Sequence, residues 1–352
     1  MKFLTISLLV FMIMSFTGCQ SSNPVNTETS DSSETSVTVT SKDTKNEKNT
    51  ESTVQNTTET ESMTDNSASD NKFDFLNFKN KNIFDIEKVD LFERDTSYRD
   101  ELESKCETYE FYYLSDGYRI KAFISIPTKN IESEEPCKCL LYNRGGHWNY
   151  GCLNTDVLAY MSAVTGRVVV ACELRGDNGS EGYDEFGGDE LHDVFRLIDL
   201  CDEKFSFIDM DDFGVIGVSR GGMMTYMTAR EDKRVKKIIV AGGISDLFSC
   251  YKERDDMNEM ISSCIGGTPE EKPEEYKKRS AVCWADEIKI PVLMIHSKND
   301  PKVKYETNAE ALYKKIKDTT DCTFISHDDD YHGINPRKES QDIQEIVKFL
   351  NK

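Results

Sequence analysis

The sequence predicts an α/β protein: a mostly parallel sheet of eight strands with helices on both faces and a short helical insert late in the chain. Three observations carry this. From residue 139 onward, short continuous apolar runs alternate with longer segments of helical periodicity. One run, FGVIGV (Phe213–Val218), passes through a serine between small residues straight into a helix-like segment. An aspartate and a histidine follow in the chain, each just beyond a later apolar run. Continuous apolar strands are buried on both faces, as in parallel sheets covered by helices.

The elements follow in order. Thr108–Leu114 and Tyr118–Ile126 alternate apolar and polar residues around Ser115-Asp116-Gly117, the pattern of a hairpin. Cys139–Asn143 reads as a strand, followed by a helix near Asn154–Val164. Val168–Glu173 precedes a helix over Asp189–Glu203, and Phe213–Val218 one over Gly221–Arg230. Lys236–Ala241 leads into a stretch from Ile244 to Glu287 that is too long for an ordinary connection and holds helix-like patches such as Asp256–Cys264. That insert is expected to fold over the site, with Tyr251, Met257 and Trp284 as pocket candidates. Val292–His296 precedes a helix over Asn308–Lys317, and Cys322–His327 one over Ser340–Leu350. Ligands on such sheets bind beyond the carboxyl ends of the strands.

Composition sets the outer bounds. The 352 residues carry a formal net charge of −21, which argues against nucleic acid as a partner, because phosphate binding needs a basic surface. The hydrophobic fraction, 38%, is low for a wholly globular chain, and the polar segment from Gln20 to Asp70 explains why. Lys2, an apolar run from Phe3 to Phe16 and the small residues before Cys19 form an export signal over residues 1–18. The run is too short for a comfortable membrane-spanning helix. Thr17-Gly18-Cys19 resembles the lipobox of bacterial lipoproteins, with Phe16 where that motif prefers Leu. This implies cleavage before Cys19, lipidation of its thiol and attachment at the outer face of a membrane. Residues 19–72 read as a tether. Ser and Thr supply 23 of the 50 residues from Ser21 to Asp70, so the segment cannot bury enough apolar surface to offset the entropy of ordering it. A stalk that is glycosylated or binds a partner has the same composition. The globular domain is placed at 73–352. No oligomeric state is assigned.

Gly217-Val218-Ser219-Arg220-Gly221 has the spacing of a nucleophile elbow, in which a serine sits on a strained strand-to-helix turn above the sheet edge. There the N–H of Arg220 and the helix N-terminus face a developing oxyanion. A serine hydroxyl is a poor nucleophile at neutral pH, so an imidazole must take its proton and a carboxylate must orient that imidazole. Asp300, past the strand Val292–His296, and His332, past the final strand, supply both in the order Ser, Asp, His. Of the five histidines, His296 lies in a strand, His192 is mid-helix, and His327 ends the last strand as the rival base. Asp328, Asp329 and Asp330 crowd the histidine loop and read as a solvated run.

Several ordered pieces now resemble one family: YNRGGHWNYG, ELRGDNGSEGYDEFGGDELHDV, GVSRGG, the stretch from GGTPEEKPEEYKKRS to VLMIHSKND, and YHGI. They are similar to the catalytic α/β-hydrolase domain of the prolyl oligopeptidase family of serine hydrolases, over about residues 105–352. The resemblance implies Ser219 as nucleophile, Asp300 as acid and His332 as base. It also implies an oxyanion hole from Arg220 and the segment Arg144–Gly146, through the backbone of Arg144, Gly145 or Gly146 or through the Arg144 side chain. The family commonly has Tyr or His where Arg144 stands, and often Gly where Ser297 stands. Its large peptidases carry an N-terminal β-propeller, for which residues 20–104 are too few and too polar. Small relatives without one include esterases and deacetylases.

The expected activity is therefore hydrolysis of an ester or short-peptide bond through an acyl-enzyme, without metal or organic cofactor. The alternative is a noncatalytic binding lipoprotein of the same fold. Of eleven cysteines, Cys139 and Cys172 read as small buried hydrophobes, and Cys250 and Cys264 in the insert are the candidate disulfide.

Overall fold

The computed structural model describes residues 75–352 apart from 79, 93–95, 133–135 and 335–338. The expected signal over 1–18, Cys19 and the tether over 19–72 lie outside the described residues.

All eight expected strands are present. They are β2 (Cys106–Ser115), β3 (Tyr118–Pro127), β4 (Cys137–Asn143), β5 (Val168–Cys172), β6 (Ile208–Val218), β7 (Lys237–Ala241), β8 (Val292–Ser297) and β9 (Cys322–His327). A ninth, β1 (Ile83–Lys88), extends one edge, and the order across the sheet is β1-β2-β3-β5-β4-β6-β7-β8-β9. The first three strands run antiparallel and β5 to β9 parallel. Sequence periodicity misses β1 because it is a charged edge strand with a register break between Phe84 and Glu87. It also stops short on β6. The acid-rich start, Ile208–Asp212, still pairs with β4 through a bulge, and Asp212 is held there by Lys138, Arg167 and Lys237.

Ten helices accompany the sheet among the described residues: α1 (Thr96–Lys105), α2 (Thr128–Ile131), α3 (Thr155–Thr165), α4 (Glu190–Glu203), α5 (Arg220–Glu231), α6 (Leu247–Glu253), α7 (Asn258–Ile265), α8 (Pro273–Lys278), α9 (Ala311–Ile316) and α10 (Glu339–Leu350). Strand side chains alternate between the two faces. In β7, Ile238 and Val240 join a core built with α4, α5 and α9, and Ile239 and Ala241 join one built with α3 and α10. Asn154 caps α3 by accepting from the Asp156 N–H at 2.8 Å, and Gly166 ends it in the left-handed conformation.

The parallel register brings the strand ends to one edge. Asn143 pairs with Gly217, Val218 with Ala241, and Ser297 with His327. The insert reaches the same edge: Arg254 donates to the carbonyl of Lys302 at 2.9 Å, and Arg279 to that of Phe186 at 3.0 Å.

All ten cysteines among the described residues are free, including Cys250 and Cys264, so the expected pair is not a disulfide. Cys250 is buried, and the Cys264 thiol lies 3.8 Å from the Met260 sulfur. Among the described residues no helix is long and apolar enough to cross a membrane.

Candidate active site

Ser219 stands between β6 and α5 with φ 59° and ψ −124°, a conformation that costs an L-residue on the order of 1–3 kcal/mol. Backbone bonds hold it. Its N–H donates to Ala241 at 3.2 Å, and its carbonyl accepts from Gly222 at 3.0 Å and Ile244 at 3.1 Å. The flanking glycines are required by close approach. A Cβ on Gly217 would stand 2.1 Å from the Gly221 carbonyl oxygen, and one on Gly221 would stand 2.0 Å from that of Asn143.

Asp300 lies in the loop after β8 and is buried. Its Oδ1 accepts from the N–H groups of Lys302 at 2.8 Å and Val303 at 3.0 Å, a local turn that fixes the carboxylate. His332 presents Nδ1 to both oxygens, 2.8 Å from Oδ2 and 3.0 Å from Oδ1. An ionised carboxylate only accepts, so Nδ1 carries the hydrogen and Nε2 is left as the basic nitrogen. The histidine loop abuts the elbow: a Cβ on Gly333 would stand 2.9 Å from Val218 Cγ1, one residue before Ser219.

Three of the other histidines have nearer partners of their own, although His296 Nε2 also lies 3.5 Å from Asp300 Oδ2. His327 Nε2 contacts Asp342 at 2.9 Å on the face of α10. His296 is buried behind Asp300 with Nε2 2.8 Å from the Val303 carbonyl, and burial pushes its pKa down. His192 sits at the surface, its Nδ1 2.7 Å from Asp116.

Arg220 is the first residue of α5, so its N–H has no acceptor within the helix. Gly145 lies against Ser219, since a Cβ there would be 3.3 Å from Ser219 Cβ. The backbone of Gly145 thus lies beside Ser219. The Arg144 side chain is engaged elsewhere. Its guanidinium is buried and donates to the carbonyls of Gly151 at 3.1 Å, Trp148 at 3.1 Å and Tyr150 at 2.6 Å, and to Asp177 at 2.5 Å. It folds its own loop into shape instead of facing the serine, which corrects the side-chain option raised from the sequence.

Beneath the loop runs a buried ion network. Arg220 binds Asp184 with both terminal nitrogens, at 2.6 and 2.8 Å, reaches Glu190 at 2.5 Å, and donates to the Gly146 carbonyl at 3.0 Å. Burial alone would raise Asp184, but the grip of Arg220 outweighs it and holds that carboxyl below its ordinary value. Burial pushes Glu190 and Glu173 up. It pushes Asp177 up to about 8, despite the ion pair with Arg144, which also serves Glu173. Burial and the nearby charge of Arg220 lower His147. Arg220 and Arg144 are candidates from the sequence, but the acids of this network and His147 are not singled out there. Seven acids in the eighteen residues from Glu173 to Glu190 were the available signal, read there as part of a family stretch.

The insert supplies supports more than pocket walls. Arg279 and Ser280 are engaged: Arg279 holds the carbonyls of Glu185 and Phe186, and Ser280 Oγ accepts from the Leu247 N–H at 2.9 Å. Trp284 is a buried core residue, its Nε1 donating to Lys278 at 3.1 Å and its ring lying under Arg230. Tyr251 and Met257 pack partly buried against the core.

Comparison with known proteins agrees with this architecture. The prolyl oligopeptidase family matches residues 154–352. The uncharacterized peptidase YtmA of Bacillus subtilis (strain 168) is 29% identical over 249 residues, 69% of this chain and 92% of its own. Among solved structures, acylaminoacyl peptidase of Pyrococcus horikoshii superimposes with a TM-score of 0.63 at 21% identity, covering 74% of this chain. This chain spans 44% of that enzyme. Acetyl xylan esterase 1 of Thermoanaerobacterium sp. JW/SL YS485 gives a TM-score of 0.54 at 20% identity, with 75% of this chain and 87% of the other covered.

Proposed function

This chain belongs to the prolyl oligopeptidase family, and from that premise we propose that it cleaves an ester or short-peptide bond through an acyl-enzyme on Ser219. His332 Nε2 removes the hydroxyl proton as Oγ attacks the scissile carbonyl, and Asp300 orients the ring and stabilises its charge. The N–H of Arg220 and an N–H of Gly145 or Gly146 receive the oxyanion. The imidazolium then gives its proton to the leaving alcohol or amine, and water repeats the attack on the acyl group. The observation that supports the reading is the His332–Asp300 pair on a loop that abuts the elbow holding Ser219. Both bond types are kept, because the similar proteins are named as peptidases and as an esterase.

A fluorophosphonate probe should label the wild type and spare Ser219→Ala. A side-by-side assay of p-nitrophenyl acyl esters against aminoacyl and prolyl amides decides the bond. Unlabelled wild-type protein would end the proposal.

The enzyme is further proposed to hang from the outer face of the cell membrane through lipidated Cys19. The support is the Thr17-Gly18-Cys19 ending of an export signal, followed by a Ser/Thr-rich segment. One acyl chain binds a membrane only marginally, so stable anchoring takes two. Cys19→Ala protein that stays as membrane-bound as the wild type in its native host would remove this part.

A further inference from the structure

The loop beside the nucleophile carries an exposed tryptophan in a backbone conformation that tryptophan does not favour. His147 and Tyr150 exchange backbone hydrogen bonds at 3.1 and 2.9 Å, closing a two-residue turn of Trp148 and Asn149. Trp148 takes φ 48° at the first turn position, where such turns use glycine, asparagine or aspartate. A bulky residue at positive φ is a genuine outlier, and such strain persists where the surroundings over-determine it, often at functional sites. The surroundings do so here. The Trp148 N–H donates to Asp184 at 3.3 Å, and its carbonyl takes two bonds from Arg144, both 3.1 Å.

The strain does not serve burial. Trp148 is 49% exposed, with its ring edge-on to His147 at 5.1 Å between centroids. Tyr150 and, on the loop joined through Asp184, Tyr183 are also exposed. Half of the six large exposed hydrophobic side chains among the described residues thus sit on two adjoining loops at the edge that holds Ser219. A fixed ring with a wet face loses little entropy when another flat ring stacks on it, and aromatic pairs gain about 0.5–1.5 kcal/mol beyond area burial.

We propose that Trp148 is a specificity-determining residue: a rigid shelf that binds an aromatic ring of the substrate beside the scissile carbonyl. This rests on the reading of Ser219 as the nucleophile. The shelf predicts a preference for ring-bearing esters that is lost with the indole, while the turn itself tolerates residues suited to positive φ.

The test compares kcat/KM for 2-naphthyl acetate and for methyl 2-naphthoate, each divided by the value for ethyl acetate. The ratio cancels the intrinsic reactivity of each ester when variants are compared. In Trp148→Gly and Trp148→Asn at least one ratio should fall about tenfold, mostly through KM, with no fall in Tm. Trp148→Phe should keep the ratio within about threefold. Ratios within about twofold of wild type in both the Gly and Asn variants overturn the shelf, whether or not Tm falls, and leave the hydrolase reading intact if Ser219 still takes a fluorophosphonate. Wild-type protein that takes no probe overturns both.

Discussion

Arg220 Nη1 donates to the carbonyl of Gly146 at 3.0 Å, so the residue that follows Ser219 also ties down the loop beside it. Its backbone belongs to the elbow and its side chain to the ion network under the oxyanion loop. The two proposed sources of oxyanion donors are therefore held in register by one residue.

Replacing that side chain should cost stability and rate together. Arg220→Met leaves Asp184 and Glu190 buried without their cation, which should lower stability by about 3–5 kcal/mol in urea unfolding. Arg220→Lys keeps a charge but not the planar fork, and should lose roughly tenfold in kcat with a smaller stability loss. Unfolding of Arg220→Met at the wild-type midpoint would show that the network contributes nothing net.

The loop itself is probed by Gly145→Ala. The new methyl would meet the Val218 carbonyl oxygen at 2.9 Å and Ser219 Cβ at 3.3 Å. The loop must then retreat from the nucleophile. Misplacing one oxyanion donor costs about 10²–10³ in kcat, so turnover should fall by that order while Tm changes little. Near-normal turnover would place the second donor outside this loop.

Two histidines compete for the role of base in the sequence, and the structure gives them different partners. His332→Ala should lose roughly 10⁴–10⁶ in kcat, and the double variant with Ser219→Ala should lose little more, since the residues act as a unit. His327→Ala removes a buried contact with Asp342 and should lower Tm with turnover within a few-fold of wild type. The opposite pattern, measured on one ester, would reassign the base to His327.

These contrasts mark what local sequence encodes. The parallel strands, the elbow and the Ser, Asp, His order are legible because each depends on a run of neighbours: apolar strand, tight turn, loop past a strand end. The partner of His327 is not legible, because Asp342 is fifteen residues away on a helix face that only packing brings near. Trp284 reads as a pocket residue from its place in the insert, yet a cation over its ring and a bond to Lys278 put it in the core. Arg144 reads as an oxyanion candidate by position. Only the fold shows that its guanidinium is spent on carbonyls of its own loop. The strand β1 escapes because an edge strand can be charged on both faces.

Asp177 ties stability to pH, and the sign can be worked out. Burial raises its carboxyl from an ordinary 3.8 to about 8, with Glu173 and Asp184 adding negative charge and Arg144 opposing. Between those two values the folded protein keeps the proton and the unfolded chain has lost it. Folding then takes up a proton, so this group lowers stability progressively as pH rises from about 4 to about 8, with a slope of at most about 1.4 kcal/mol per pH unit. Asp177→Asn removes the titration and keeps the shape. In urea midpoints at pH 5 and pH 7.5, the variant should gain on the wild type as pH rises. Its own profile should stay sloped, because Glu173 and Glu190 are raised too. A wild-type-to-variant difference that is the same at both pH values would mean that Asp177 is ionised throughout, and that Arg144 outweighs burial.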